Sequence, residues 1–169
     1  GVNALAHLWT CKAFLPAMLK AKSGHVVTVA SLAGLIATPG MVDYSASKFA
    51  AVGLAEGLRK ELRLLHGGLV GVSILCPALI KTALFKGFQQ PFLPGLEPQY
   101  VAQCIVDAVR YRKEMQVMPR ASDPSLVNAL LPVALSDAIW RWAGLGGMMR
   151  AVDRSHAERT LGMIAPSRL

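Results

Sequence analysis

The stretch HVVTVASLAGLIATPGMVDYSASK, residues 25–48, decides how this chain folds. Its first six residues, His25 to Ala30, form a short, nearly continuous apolar run rich in β-branched side chains, the pattern of a strand buried on both faces. A loop containing Gly34, Pro39 and Gly40 follows. The spacing then predicts a helix from about Asp43 to His66, with Asp43 as its N-cap and Gly67-Gly68 closing it. Upstream, Leu5, Leu8, Trp9, Cys11 and Leu15 fall at helical spacing between Val2 and Lys22, and Gly24 is expected to end that element. Downstream, Val70 to Leu75 reads as a second buried strand, and after Pro77 the chain becomes irregular. Glu97 or Pro98 opens a further helix to about Lys113, and Met115 to Met118 reads as a short third strand.

Helix, strand, helix, strand, helix, strand implies parallel strands joined by right-handed crossovers, with helices on both faces. The expected fold is α/β: the second half of a doubly wound parallel sheet. Residues 1–120 would form that half, and residues 121–169 a helical tail of the same domain, with short helices around Pro132 and Gly144 to Gly147. No internal repeat or low-complexity segment interrupts it.

Bulk properties narrow the function classes. With 169 residues, 53% hydrophobic and 17% charged, the chain is long and apolar enough for one domain with a real core. A net charge of +8 raises the question of an acidic partner. The basic groups are dispersed, however: Lys12, Lys20 and Lys22, then Arg59, Lys60 and Arg63, then Arg110, Arg112 and Lys113, at or near predicted helix ends, where cations complement the helix dipole. A nucleic-acid partner is therefore not expected. Cys11, Cys76 and Cys104 lack metal-ligand spacing and read as reduced core residues of a cytosolic protein, and His7, His25, His66 and His156 are too scattered for a metal site. The longest apolar stretch, Leu126 to Met149, is broken by Pro132, Asp137 and Arg141, which argues against a spanning helix.

The chemistry lies in Tyr44 and Lys48, four apart and so on one face of the predicted helix. With three tyrosines and eight lysines in the chain, the pair alone is weak evidence. Ser31 sharpens it. It sits at the carboxyl end of a predicted strand, where open α/β sheets place their ligands, with Tyr44 at the start of the helix that follows. A serine, a tyrosine and a lysine converging there suit proton transfer to a carbonyl oxygen, because an ammonium one turn away stabilises a phenolate.

Ser31-Leu-Ala-Gly34, thirteen residues before Tyr44, and Tyr44-Ser-Ala-Ser-Lys48 resemble the active-site motif of classical short-chain dehydrogenases/reductases. Asn3, preceded by Val2, matches that family's catalytic asparagine. Pro77, Ile80 and Thr82, within Cys76-Pro-Ala-Leu-Ile-Lys-Thr82, match its segment at the nicotinamide end. The resemblance implies an NAD- or NADP-dependent oxidoreductase interconverting an alcohol and a carbonyl. By that resemblance Tyr44 is the general acid/base, and Lys48 stabilises its phenolate and binds the nicotinamide ribose. Ser31 holds the substrate oxygen. Asn3, in the first helix, holds a water that links Lys48 to solvent through its backbone carbonyl at a helix kink. Pro77, Ile80 and Thr82 contact the cofactor. Asn3 could instead be a helix cap, and Thr82 the N-cap of a short helix. Ala78 stands where the family usually has glycine, which is costly if the position needs a positive φ.

Residues 6–10, 12–18 and 44–51 look especially similar to the branch holding retinol dehydrogenases and 17-beta-hydroxysteroid dehydrogenase 11-like enzymes. That implies a retinoid, steroid or lipid alcohol, a cytoplasmic location with peripheral membrane or lipid-droplet contact, and a homodimer or tetramer built through the helices at 2–22 and 43–66. Leu84, Phe85, Phe88, Phe92 and Leu93 either form an apolar lid over such a substrate or pack on the core. Leu135, Ile139, Trp140 and Trp142, near Arg141 and Arg150, form an apolar face for the core or for a membrane surface. The family's Gly-rich first βαβ unit has no counterpart here: Gly67 to Gly71 follows a helix and precedes a strand, the wrong order for it. The expectation is thus a catalytic half lacking its amino-terminal βαβ units. By itself it would expose a strand edge and neither bind cofactor tightly nor turn over; the alternative is a non-catalytic oligomerisation module.

Overall fold

The computed structural model describes residues 1–82, 95–120, 123 and 131–142. Over these residues the chain runs α1 (Leu5–Ala21), β1 (Gly24–Val29), a 3-10 turn (Leu32–Gly34), α2 (Val42–His66), β2 (Val70–Pro77), α3 (Pro98–Arg110), β3 (Met115–Met118) and α4 (Val133–Trp142). The strands form one parallel sheet in the order β1-β2-β3. Gly24 pairs with Val70 and Val29 with Leu75, while Ile74 pairs with Met115 and Pro77 with Met118.

Alternation along β2 divides the core into two layers. Val70, Val72, Ile74 and Cys76 face one side, where Val52, Ala55 and Leu62 of α2 meet them, joined by the half-buried Leu15, Met18 and Leu19 of α1. Leu75 faces the other, packing with Val101 and Ala108 of α3 and Met118 of β3. Helices therefore cover both faces, as a βαβ succession requires. The buried positions of α2, at 51, 52, 55 and 62, recur at helical spacing and bind the helix that carries Tyr44 and Lys48 to the middle strand.

Several local expectations are corrected. β1 is largely half-buried, not buried on both faces, because it is an edge of the described sheet and α1 covers it loosely, with no residue of α1 fully buried. Lys22, in the left-handed conformation at φ 53, caps α1, whereas Gly24 opens β1. A Cβ on Gly24 would lie 2.7 Å from Met18 Cγ, so glycine serves packing there instead of capping. Asp43 lies inside the first turn of α2 and Met41 is its N-cap, without a side-chain bond; Asp43 acts on the helix dipole. Gly67 (φ 60) and Gly68 (φ 72) close α2 as the sequence implies. Glu97 caps α3 with Pro98 in its first turn, and the helix stops at Arg110.

Cys76 is buried in the core and the half-buried Cys104 packs against its second layer, while Cys11 is half-buried on α1. Among the described residues no helix is long and apolar enough to cross a membrane. The expected lid residues Leu84, Phe85, Phe88, Phe92 and Leu93, and the short helix expected around Gly144 to Gly147, lie outside the described residues.

Candidate functional site

The site gathers at the carboxyl end of β1, where Ala30 donates its backbone N–H to Leu75 O at 2.8 Å and the chain then leaves the sheet. Ser31 caps the 3-10 turn: its Oγ accepts from Ala33 N at 3.2 Å and donates to Pro77 O at 3.5 Å. The hydroxyl thus joins the ends of β1 and β2, bringing two of the expected site segments together. The loop then closes on α2. Thr38 N donates to Ser45 Oγ at 3.2 Å, with both residues buried, and Gly40 takes φ 79 to turn the chain into the helix.

Gly34 makes the closest approach. A Cβ there would lie 2.7 Å from Lys48 O and 2.9 Å from Val52 Cγ2, so only glycine lets the turn after Ser31 rest on the backbone of α2 at Lys48.

On α2, Lys48 lies one turn beyond Tyr44, with Nζ 5.7 Å from the centre of the phenol ring. Lys48 Nζ also donates to Val29 O at 3.3 Å, which anchors the ammonium at the end of β1. Partial burial pushes the Lys48 ammonium below its ordinary range, opposed by the neighbouring Cys76. Burial drives the Cys76 thiol up to about 11, against a pull downward from the Ser31 backbone N–H. Cys76 is therefore a neutral thiol close to both the Ser31 backbone and Lys48.

Asn3 stands in the turn before α1, not within the helix, since the first helical residue is Leu5. Its Nδ2 donates to Ser47 Oγ at 3.2 Å, and Ser47 Oγ donates to Tyr44 O at 2.7 Å. Asn3 is thus attached to the turn of α2 that bears Tyr44 and Lys48. Ile80 and Thr82 lie past the end of β2: Ile80 bridges Leu96, and Thr82 N donates to Ile80 O at 2.8 Å. Leu79 and Lys81, which flank Ile80, exchange backbone hydrogen bonds with Leu96, and no bond found among the described residues joins Ile80 or Thr82 to Ser31, Tyr44 or Lys48. Ala78 donates its N–H to Met118 O at 2.7 Å and is not among the residues with positive φ, so alanine carries no backbone penalty.

Ser45 and Ser47 are not site candidates by sequence, and Cys76 reads there only as a core cysteine. The two serines interleave Tyr44 and Lys48, and the small polar residues within that run were the available signal.

Parallel strands, covering helices and polar residues collected at the strand ends define a doubly wound α/β protein with its site where such sheets place ligands. Comparison with known proteins gives the family. Residues 1–91 match the sequence model of the short chain dehydrogenases, and the chain belongs to that family. It is 44% identical over 128 residues to short-chain dehydrogenase/reductase family 16C member 6 of Bos taurus, an alignment covering 74% of this chain and 40% of that protein. It is 38% identical over 149 residues to retinol dehydrogenase 10 of Homo sapiens, covering 85% of this chain and 44% of the relative. The chain thus spans less than half the length of these relatives. Among solved structures, a short chain dehydrogenase from Burkholderia cenocepacia in complex with NADP superposes with a TM-score of 0.64 at 24% identity, covering 84% of this chain and 56% of that one. A short chain dehydrogenase/reductase from Burkholderia phymatum in complex with NAD gives 0.59 at 28% identity, covering 76% and 53%.

Proposed function

We propose that this chain supplies the catalytic half of an NAD- or NADP-dependent oxidoreductase that interconverts an alcohol and a carbonyl, on an apolar substrate such as a retinoid, steroid or lipid alcohol. The observation that carries the reading is the Lys48 ammonium held 5.7 Å from the centre of the Tyr44 ring and bonded to Val29 O at the end of β1, the strand that Ser31 directly follows. The retinol dehydrogenase relatives and the NADP- and NAD-bound neighbours support the substrate and cofactor classes.

The donor set fits the ribose and nicotinamide end of such a cofactor. An ammonium has three protons, and Lys48 directs one to Val29 O, which leaves donors for vicinal ribose hydroxyls. Backbone groups around Pro77, Ile80 and Thr82, past the end of β2, would hold the carboxamide side. When bound, the cofactor supplies or accepts the hydride. Tyr44 then gives a proton to the carbonyl oxygen in reduction, or takes one from the alcohol in oxidation. Lys48 stabilises the phenolate left after donation. Ser31, already able to donate and accept at the strand end, holds the reacting oxygen, and Asn3 supports the proton path from Lys48 to solvent.

The exposed apolar side chains of α1, Leu5, Leu8, Trp9 (63%) and Phe14 (62%), favour a second reading in which this helix contacts another subunit in a homodimer or tetramer. A cytoplasmic location with peripheral membrane contact is part of the same proposal, from the resemblance to retinol dehydrogenases.

The test assays the purified chain alone, and a chimera in which it replaces the segment of retinol dehydrogenase 10 that it matches. NAD(P)-dependent retinol oxidation by the chimera, lost on Tyr44→Phe, is the expected result. Equal turnover with phenylalanine at that position would defeat the assignment. The chain alone is expected to show no submicromolar saturation in an NAD(P)H fluorescence titration.

A further inference from the structure

We infer that Ser47 is a positioning residue of this site: its hydroxyl seats Asn3 on the turn of α2 that carries Tyr44 and Lys48. The catalytic consequence rests on the function proposed above; the seating itself rests on geometry alone.

The turn before α1 has no side-chain cap, its N-cap position being Ala4, and α1 has no buried residue. Backbone bonds in that turn are long, with Ala4 N and Ala6 N each 3.4 Å from Gly1 O. Asn3 Nδ2 reaches 44 residues along the chain to Ser47 Oγ at 3.2 Å. A serine hydroxyl has one proton and two lone pairs. Ser47 spends its proton on Tyr44 O at 2.7 Å, three residues earlier in the same helix, which turns a lone pair toward the asparagine amide. The hydroxyl direction is thereby set within α2, and Asn3 takes the lone pair that is left.

That placement has chemical meaning because of what flanks Ser47. Tyr44, whose carbonyl takes the serine proton, is the proposed proton donor, and Lys48 is the next residue in the chain. A proton path from Lys48 through Asn3 needs the asparagine held within about 0.5 Å, and the Ser47 hydroxyl is the group that takes its side-chain amide. Alanine at position 47 keeps the helix, being its best former, and removes only the hydroxyl. Threonine keeps a hydroxyl that can still bond a carbonyl one turn back. The pair therefore separates loss of the hydroxyl from loss of structure.

The experiment compares the full chain with its Ser47→Ala and Ser47→Thr variants by ¹⁵N NMR of side-chain amides, with the Asn3 resonances assigned through Asn3→Asp. In Ser47→Ala the two Asn3 amide protons are expected to move toward solvent-exposed values and exchange faster, and in Ser47→Thr to stay within the spread of the parent. Unmoved Asn3 resonances in Ser47→Ala overturn the inference. In the retinol assay, Ser47→Ala is expected to lower kcat about tenfold, the scale of one lost hydrogen bond at a positioned group, with KM for cofactor unchanged and with recovery in Ser47→Thr. Unchanged kcat in Ser47→Ala, where Tyr44→Phe abolishes turnover, overturns the positioning role. If no form turns over, it is the proposed function that fails, and the amide resonances still decide whether Ser47 seats Asn3.

Discussion

Gly34→Ala tests the packing on which the site depends. The added Cβ would lie 2.7 Å from Lys48 O, 2.9 Å from Lys48 C and 2.9 Å from Val52 Cγ2. Ordinary contact begins at 3.4 Å, so the turn and the helix must separate by about 0.7 Å. Two of the three obstructing atoms are backbone, and no rotamer change relieves them. α2 cannot retreat, because Ala51, Val52 and Ala55 on its inner face are buried. The turn bearing Ser31 must lift instead. Gly34 has no positive φ, so the penalty is steric alone. It falls at the upper end of the range for overpacking, about 3 kcal/mol. For a chain of this size that lowers Tm by roughly 6–12 °C. Gly53 and Gly57 provide the control, since a Cβ on either meets nothing within 4 Å. Both lie inside α2, where alanine is favoured over glycine by about 1 kcal/mol, so Gly53→Ala and Gly57→Ala are expected to raise Tm by roughly 2–4 °C each. Thermal unfolding followed by circular dichroism at 222 nm reads all three. A Gly34→Ala protein melting at or above the parent temperature would refute the claim that the Ser31 turn rests directly on the backbone at Lys48.

Three further outcomes are expected. His25, whose Nε2 lies 2.7 Å from Ser73 Oγ, is held below its ordinary value of 6.5 by burial and then by Arg112; the unfolded chain binds the extra proton first, so stability is full above 6.5 and declines as pH falls below it, and urea titrations at pH 7.5 and 5.5 should differ by less in His25→Gln than in the parent. Cys76, buried and with its thiol raised to about 11, should resist Ellman's reagent in the folded protein while the half-buried Cys11 and Cys104 react; three thiols reacting at one rate would contradict the burial. Glu114 receives Arg59 and Arg63 at 2.7 Å each, but its side chain is 43% exposed, so Glu114→Gln should cost no more than about 1 kcal/mol by urea denaturation, and a loss several times larger would show that these pairs are not solvent-screened.

Much of the architecture is local and was therefore legible. The apolar run at 25–30, the helix between Asp43 and His66, the paired glycines at 67 and 68 and the four-residue strand at 115–118 each state their conformation within one window of sequence. The register of Tyr44 and Lys48 was equally local, since residues four apart on a helix share a face wherever that helix lies. The errors are of another kind. Asp43 is a good N-cap residue in isolation, yet the loop held by Thr38 and Ser45 enters the helix at Met41. Gly24 looks like a helix terminator, yet it serves Met18 packing.

From its own residues the chain determined alternating elements, parallel strands and a phenol and ammonium one turn apart. Only the folded chain decided which distant groups meet them: Ser31 with Pro77 across 46 residues, Asn3 with Ser47 across 44 and Lys48 with Val29 across 19. Hydrophobic periodicity is written between neighbours and survives any packing, whereas a hydrogen bond between remote segments exists only where helices and sheet come to rest. The thiol close to Lys48 and the serine that seats Asn3 belong to that second kind.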